Sequence, residues 1–397
     1  MTHSGRLILN KGVRHRILTG HPWVFAGEVE RTEGNPEDGG TVEIRSVKGD
    51  SLGSAIYNSR SQIVARRYSH KLVALDERLL DMRLNDAIAY RERQAPFAPD
   101  QPRRLVWSES DELPGLIADR YGDVLVLHTL TLAMSQRETL IADLLRKKTG
   151  CRVVLARNDA PVREREGLPL ERQILHGEYA APTCVRIADI AYDLDLWSGQ
   201  KTGFYLDQVE NYSAVAVYAK GRRVLDCFTN QGAFALTAMK AGAVSCRAAD
   251  QSTEALKRAE ITATTAKIEI EWIQANVFDL VRHYEQKKEK FDLVILDPPS
   301  FTKSKGNKES ALRGYHELHL RALRLLTPGG ILATFSCSHH VTARDWDDLL
   351  ERAATETGST LRLLRRLGQS SDHPVLVNVP ETEYLRGYVL EKVHEKN

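Results

Sequence analysis

The spacing of apolar positions changes twice along the chain. In residues 1–72, short apolar stretches such as Leu7–Leu9 and Val42–Ile44 alternate with turn signals such as Gly39-Gly40, a pattern that predicts a small β-barrel. Residues 76–95 then carry apolar side chains at helical spacing. Strand-like runs at 104–107, 124–127 and 152–156 follow, with a helix near 135–148. We therefore predict an N-terminal barrel, residues 1–72, and a middle α+β domain, residues 73–184.

From about residue 185 strands and helices alternate, which predicts an α/β domain with a parallel sheet and crossover helices over residues 185–397. The predicted strands are 223–228, 244–250, a third that begins at residue 271 and ends in Asn276, the apolar run Leu293–Leu296, and 331–335. Helices are expected at 235–240, 253–266, 316–326 and 345–357, with a loop at 302–315. The tail, 369–390, is expected to form a sheet edge.

Polar side chains stand where four of these strands end: Asp226, Asp250, Asn276 and Asp297. The carboxyl ends of parallel strands meet at one edge of a sheet, and ligands of open α/β sheets bind there. Pro298 and Pro299 stop the fourth strand directly after Asp297. We expect Asp297 to hold a flat heterocycle by its ring nitrogens at this edge.

The turn after the first strand indicates the cofactor. It contains one glycine, Gly232, where a dinucleotide fingerprint has three, and the chain has no Walker lysine motif. This pattern favours S-adenosylmethionine over NAD, FAD or ATP. Asp250 then stands where a nucleoside-binding fold places a carboxylate for ribose hydroxyls, and Asn276 is placed to meet the adenine edge.

Cys337 differs from the other four cysteines, which are scattered and predict neither a disulfide framework nor a zinc site. It follows a buried strand, lies between two serines and precedes His339-His340. A thiolate there could add to carbon 6 of a pyrimidine and make carbon 5 nucleophilic, with Asp297 stabilising the adduct. A packing role is the alternative. We predict no metal site, because neighbouring histidines in a strand point apart.

Charge and composition bear on the partner. The net charge is only +2, so a polyanion must be met by local patches. Residues 1–72 hold 11 basic against 7 acidic residues, and basic residues interleaved with aromatics favour RNA, a plain solvated surface being the alternative. The candidate RNA-binding residues are Lys11, Arg14, Arg16, His21, Trp23, Arg66 and Arg67 of the barrel and Lys303, Lys305 and Lys308 of the loop. The chain lacks a long apolar run and an apolar signal core, which predicts a cytoplasmic protein outside the membrane.

Several motifs carry a family resemblance. Gly20-His-Pro-Trp-Val-Phe25 resembles the start of a PUA domain, a small RNA-binding barrel. With Lys201-Thr-Gly-Phe-Tyr-Leu-Asp-Gln208, Asp297-Pro-Pro299, Phe335-Ser-Cys-Ser338 and Asp372-His-Pro374, it resembles the ribosomal large-subunit RNA cytosine-carbon-5 methyltransferase I family. The resemblance implies a PUA domain, a middle α+β domain and a class I Rossmann-like methyltransferase domain.

The resemblance also implies S-adenosylmethionine-dependent formation of 5-methylcytidine in 23S rRNA, with Cys337 as nucleophile. The implied cofactor-binding residues are Phe204, Asp207, Gln208, Asp226, Phe228, Gly232, Asp250, Gln251, Asn276 and Asp297. One departure is Pro299, which stands where many related enzymes carry a second cysteine that helps to release the product. The base that removes the carbon-5 proton is therefore open among Glu309, His339 and His340. The oligomeric state is open too, with a homodimer as one candidate.

Three alternatives remain at this point. A uracil-carbon-5 methyltransferase would use a similar cysteine and aspartate. A guanine-nitrogen methyltransferase needs no nucleophilic cysteine, so Cys337 counts against it. A non-enzymatic RNA-binding factor would not need the four polar side chains at the strand ends.

Overall fold

The structure is a computed structural model that describes residues 4–11, 15–96, 98–199, 201–301, 308–338 and 341–395. The chain forms two compact units. The first contains residues 1–186, 193–206 and 371–382, and the second contains residues 187–192, 207–370 and 383–397. Among the described residues, every helix is too short or too polar to cross a membrane.

The first unit begins with a six-stranded sheet. Its strands are β1 (Gly5–Leu9), β2 (Trp23–Val24), β3 (Val29–Gly34), β4 (Thr41–Arg45), β5 (Ser51–Tyr57) and β6 (Ala65–Ser69), in the order β2-β6-β5-β4-β1-β3. Alternate side chains such as Leu7, Leu9, Val42 and Ile44 point into a common core, as expected for strands with one buried face.

A second sheet of this unit has the order β11-β10-β9-β8-β7. The strands are β7 (Arg103–Trp107), β8 (Leu116–Tyr121), β9 (Val124–Thr129), β10 (Val153–Asn158) and β11 (Glu171–His176). The same unit contains the helices α1 (Glu77–Gln94), α2 (Leu132–Ser135) and α3 (Glu138–Thr149). Leu80 and Leu84 of α1 and Ile141 and Leu145 of α3 share one core with the strands. The hairpin β12 (Thr183–Ile187) and β13 (Ile190–Leu194) follows.

The second unit is built on a seven-stranded sheet of order β16-β15-β14-β17-β18-β20-β19. The strands are β14 (Arg223–Cys227), β15 (Ser245–Asp250), β16 (Glu271–Gln274), β17 (Phe291–Leu296), β18 (Leu326–Ser336), β19 (Ser359–Gly368) and β20 (Arg386–Glu395). The helices are α4 (Val209–Ala216), α5 (Ala233–Lys240), α6 (Thr253–Ala266), α7 (Val277–Gln286), α8 (Lys308–Leu325) and α9 (Ala343–Glu356).

The topology of this sheet indicates where a ligand is expected to bind. β14 pairs in parallel with both β15 and β17, and β17 pairs in parallel with β18. The strand order therefore reverses between β14 and β17, which is the position where open α/β sheets bind their ligands. β20 pairs antiparallel with β18 and with β19, and β19 forms the edge of the sheet on that side.

Two predicted elements need correction. The predicted loop 302–315 is wrong from residue 308 onward, because α8 already begins at Lys308. The third strand of the α/β pattern ends at Gln274, two residues before Asn276, because the Asn276 side chain accepts a hydrogen bond from the Phe278 backbone N–H and caps α7. The predicted domain boundaries 1–72, 73–184 and 185–397 stay a prediction.

Candidate active site

The turn between β14 and α5 has an unusual backbone. Phe228, Asn230 and Gly232 have φ angles of +64°, +49° and +77°. Residues other than glycine rarely adopt this region of backbone conformation. A Cβ on Gly232 would lie 2.6 Å from the Trp272 ring. Glycine is therefore required at 232 for both its backbone angle and its close packing, and strain of this kind is typical of functional turns.

Asp226 is the next-to-last residue of β14, directly before this turn, and is buried. Its carboxylate accepts hydrogen bonds from the Thr229 hydroxyl at 2.5 Å and from the Ala235 backbone N–H at 3.1 Å. Burial, together with the charges of Asp297 and Asp250, raises the pKa of Asp226 from 3.8 to about 7, although the two hydrogen bonds act in the opposite direction. Three carboxylates thus concentrate negative charge where the strand order reverses.

Asp250 ends β15, beside the turn. Its two carboxylate oxygens accept hydrogen bonds from the backbone N–H groups of Asn230 and Ser252, each at 2.9 Å. Asp250 therefore fixes the turn and the start of α6 together. Gln251 and Asn276 are exposed next to this edge, so both stay candidates for binding an adenosine.

Two of the predicted cofactor-binding residues, Asp207 and Gln208, lie in the segment that precedes α4, and both are buried. The Asp207 carboxylate accepts a hydrogen bond from the Tyr384 hydroxyl at 2.8 Å, and its backbone carbonyl accepts one from the Ser370 N–H at 2.8 Å. Gln208 accepts a hydrogen bond from the Asn211 side chain. Phe204 is buried in the first unit, where its N–H donates to the Tyr121 hydroxyl at 3.3 Å. Cofactor binding by Phe204, Asp207 and Gln208 stays a prediction.

Asp297 and Cys337 follow neighbouring strands. Leu296, the last residue of β17, pairs with Thr334 of β18, so both side chains emerge at the same edge of the sheet. The Cys337 thiol lies 4.0 Å from the Pro298 carbonyl oxygen and is partly exposed. Asp297 in turn adjoins β14, since its N–H donates to the Cys227 carbonyl oxygen at 3.4 Å. The structure thus places Asp226, Asp250, Asp297 and Cys337 at the same edge of the sheet.

A group of hydroxyls that the sequence pattern does not predict to meet lies around Cys337. Ser336 and Ser338 flank the cysteine, and both contact the Tyr315 hydroxyl, while Ser338 also contacts Ser300. The signal for Tyr315 was its helical spacing with Leu318, His319 and Ala322, all of which are buried. Placing residues 302–315 in a loop hid that spacing.

Several of the candidate RNA-binding residues are buried or contact an acidic side chain of the protein. The Arg66 guanidinium and the Trp23 indole both donate to Glu109 Oε1, at 2.9 and 2.8 Å, and Arg16 and His21 both contact the Glu381 carboxylate. His21 and Arg67 are buried, which indicates a structural role. Lys11 is exposed, and Lys308 forms an ion pair with Asp345 at 2.8 Å. RNA binding by these residues stays a prediction.

Some of the predicted residues lie outside the described residues: Arg14, Lys303, Lys305, His339 and His340. Of the three candidate bases, Glu309 alone is described. It is exposed in the first turn of α8.

The residues near the position where the strand order reverses, between β14 and β17, fit S-adenosylmethionine. Asp226 is held partly protonated near neutral pH by burial and by two neighbouring carboxylates. A cationic ligand would relieve this repulsion, because an opposite charge nearby favours the ionised form of a carboxylate. The sulfonium and ammonium groups of S-adenosylmethionine carry that positive charge, and its adenosine suits the exposed edge at Asp250 and Asn276.

Comparisons with known proteins agree with this geometry. Residues 172–383 match the family of S-adenosylmethionine-dependent methyltransferases, and residues 7–70 match a PUA-like domain. Curated relatives from Yersinia pestis and Yersinia pseudotuberculosis are each called ribosomal RNA large subunit methyltransferase I. Each is 38% identical over 390 residues, which cover 96% of this chain and 98% of the relative.

Solved structures share the fold across nearly the whole chain. A SAM-dependent methyltransferase from Streptococcus mutans matches with a TM-score of 0.83 at 19% identity, and a methyltransferase complexed with SAH matches with 0.84 at 20% identity. Each match covers 97% of this chain and 99% of the other. The predicted α/β methyltransferase fold, the PUA-like domain and the cofactor S-adenosylmethionine are confirmed.

Proposed function

The chain belongs to the S-adenosylmethionine-dependent methyltransferase family, and we propose that it methylates carbon 5 of a cytidine in 23S rRNA through a covalent adduct of Cys337. The observation that carries this proposal is the pair of Asp297 and Cys337 on neighbouring strand ends. Transfer to a ring nitrogen or an exocyclic amine needs no nucleophilic thiol, whereas carbon 5 of a pyrimidine does, because it is a poor nucleophile until carbon 6 is attacked.

The proposed reaction begins with addition of the Cys337 thiolate to carbon 6. A carbon–sulfur bond forms, and the electron pair of the carbon 5–carbon 6 double bond moves into the ring, where Asp297 holds or protonates nitrogen 3. Carbon 5 then takes up the methyl group that bound S-adenosylmethionine would supply. The methyl–sulfur bond breaks, S-adenosylhomocysteine would leave as the neutral thioether, and nitrogen 3 returns to Asp297 any proton that it received. A base next removes the proton from carbon 5, and the freed electron pair restores the double bond and expels the Cys337 thiolate.

The residues at or just beyond the ends of β14, β15, β16 and β17 are proposed to hold the cofactor. Asp226 and Asp297 complement positive charge, Asp250 faces the ribose hydroxyls, and Asn276 meets the adenine edge. Gly232 sets the backbone shape of the turn between these residues, because its positive φ and its packing against Trp272 exclude a side chain. Phe204, Asp207, Gln208, Phe228 and Gln251 are proposed to complete the binding site.

The rRNA substrate rests on two findings. The curated relatives that align with nearly the whole chain are named for methylation of large-subunit ribosomal RNA. The N-terminal domain is PUA-like, and the exposed Lys11 and the partly exposed Arg16 and Trp23 lie on it. A cation beside an aromatic ring suits unpaired RNA bases and their phosphates. We place the protein in the cytoplasm, where this substrate is found.

Substitution of the nucleophile tests the covalent step. Cys337→Ala is expected to abolish methyl transfer and leave cofactor affinity unchanged, because the thiol is needed only for the adduct. RNA containing 5-fluorocytidine should form a stable complex with the parent protein, since fluorine at carbon 5 cannot leave as a proton does. Denaturing electrophoresis detects that complex, and the exposed Cys184 provides a matched control through Cys184→Ala.

The result is decisive in either direction. Loss of the complex in Cys337→Ala with retention in Cys184→Ala supports the proposal. Full methyl transfer by Cys337→Ala would contradict the covalent mechanism.

A further inference from the structure

A chain of hydroxyls surrounds the proposed nucleophile. The Ser336 hydroxyl donates to the Tyr315 oxygen at 3.4 Å, the Tyr315 and Ser338 hydroxyls are 2.8 Å apart, and the Ser338 and Ser300 hydroxyls are 3.0 Å apart. Ser300 belongs to the turn that begins with Asp297, and Ser336 and Ser338 enclose Cys337. The chain therefore connects the two strand ends that carry the proposed catalytic groups.

The hydrogen bonds of this chain can all form at once. Each hydroxyl has one proton to donate, so donation from Ser336 to Tyr315, from Tyr315 to Ser338 and from Ser338 to Ser300 uses three donors for three contacts. A fourth bond, from the Ser338 N–H to the Ser336 hydroxyl at 3.3 Å, closes the turn around Cys337. Every contact then has a donor and an acceptor, and donation from Ser300 to Ser338 and from Ser338 to Tyr315 satisfies the same contacts, so the chain can hold the turn with either orientation of these protons.

Tyr315 itself is rigidly held. It is completely buried in α8. The centroid of its ring lies 4.6 Å from the ring centroid of Phe301 and 5.0 Å from that of Trp346. One turn further along the helix, His319 contacts the Tyr315 carbonyl at 2.6 Å and the Thr334 hydroxyl of β18 at 2.7 Å. Packing of the phenol ring and the contacts between α8 and β18 thus hold the Tyr315 hydroxyl in place.

We propose that Tyr315 is a positioning residue whose hydroxyl fixes the Ser336-Cys337-Ser338 turn against Ser300, and so sets the placement of the nucleophile relative to Asp297. This inference rests on the function proposed above. Cys337 lies beyond the last residue of β18, so the sheet ladder does not hold it. A displacement of about 1 Å at a reacting atom can cost about a hundredfold in rate, so an anchor at this point has a large effect on chemistry.

Burial raises the pKa of Tyr315, and the charge of Cys337 raises it further. The phenol is therefore neutral while the thiolate attacks. A neutral hydroxyl can both donate and accept, so it can keep its hydrogen bonds to Ser336 and Ser338.

The test uses Tyr315→Phe, which removes one oxygen and keeps the ring packing. We expect the single-turnover rate of methyl transfer to fall about tenfold to a hundredfold, with the KM for RNA, the affinity for S-adenosylmethionine and the unfolding midpoint nearly unchanged. The control is Tyr284→Phe, which removes the hydroxyl of another buried tyrosine in the same core and should leave the rate unaffected.

Two further variants separate positioning from general destabilisation. Ser338→Ala should lower the rate to a similar extent, and the double variant Tyr315→Phe with Ser338→Ala should lose little more than the larger single effect, because both break one chain. If Tyr315→Phe does not fold, Ser300→Ala tests the same chain from its exposed end and should also lower the rate at unchanged KM.

The outcomes distinguish this inference from the proposed function. A parent protein that forms 5-methylcytidine while Tyr315→Phe, or Ser300→Ala in its place, retains the parent rate overturns the role of Tyr315 alone. A rise in KM with an unchanged rate would also overturn it. A parent protein that forms no 5-methylcytidine overturns the proposed function, and the positioning role with it.

Discussion

For single residues, the proposed chemistry depends on where the carboxylates, the Cys337 thiol and the nearby hydroxyls are held. The polar residues at the strand ends could be predicted from the sequence, because a buried apolar run that stops at Asp297-Pro298-Pro299 leaves little choice of position. The hydroxyl chain could not, because its members come from residues 300, 315 and 336–338 and meet only once β17, β18 and α8 have packed. Contacts between distant segments leave no local pattern.

Asp226 should make stability depend on pH. Its pKa of about 7 lies above the ordinary value of 3.8, so between these values the folded protein holds a proton that the unfolded chain releases. The stabilisation is complete below the unfolded pKa and is lost as the pH rises through 7. The unfolding free energy of the parent, measured relative to Asp226→Asn by urea denaturation, should therefore fall between about pH 5 and about pH 8.

Asp226→Asn is the appropriate reference because asparagine has the shape of the protonated acid and does not titrate. A difference between the two proteins that stays constant across this range would contradict the raised pKa of Asp226.

At the scale of elements, the parallel strands of the second unit were predictable, and the predicted helix 253–266 agrees with α6. The errors arose where local and tertiary signals compete. Lys303, Lys305 and Gly306 give residues 302–315 the composition of a loop, yet residues 308–315 are helical because Ala311 and Tyr315 bury one face of α8. The basic residues of the barrel suggested an exposed surface, yet His21 and Arg67 are buried, where both form hydrogen bonds.

The turn between β14 and α5 should not tolerate a side chain at Gly232. Gly232→Ala is expected to lower the unfolding free energy by more than the ~1 kcal/mol of a left-handed backbone, because its Cβ would also meet Trp272 at 2.6 Å. Cofactor affinity should fall as well. Denaturant unfolding and calorimetry with S-adenosylmethionine measure the two effects.

Gly221→Ala is the matched control. Gly221 also has a positive φ, +72°, but a Cβ there would meet nothing within 4 Å. Its substitution should cost only the backbone strain and leave cofactor binding intact. Equal losses in the two variants would show that the contact with Trp272 is unimportant.

At the scale of the whole molecule, the fold and the cofactor follow from a pattern that spans the chain. The PUA-like match and the methyltransferase match lie in order along it, and the relatives named for large-subunit rRNA align over 96% of its length. The identity of the methylated atom is not a property of the fold, because one fold hosts many reactions. We propose that it depends on Asp297 and Cys337 and their surroundings.

Mass spectrometry of the product nucleosides tests whether the methyl group is transferred to carbon 5 of cytidine. Ribosomal RNA that lacks the modification is incubated with the protein and isotope-labelled S-adenosylmethionine, digested to nucleosides and analysed for the label. The label should appear in 5-methylcytidine and be absent when Cys337→Ala replaces the parent. Label in 5-methyluridine or a methylguanosine would contradict cytidine carbon 5 as the site of transfer.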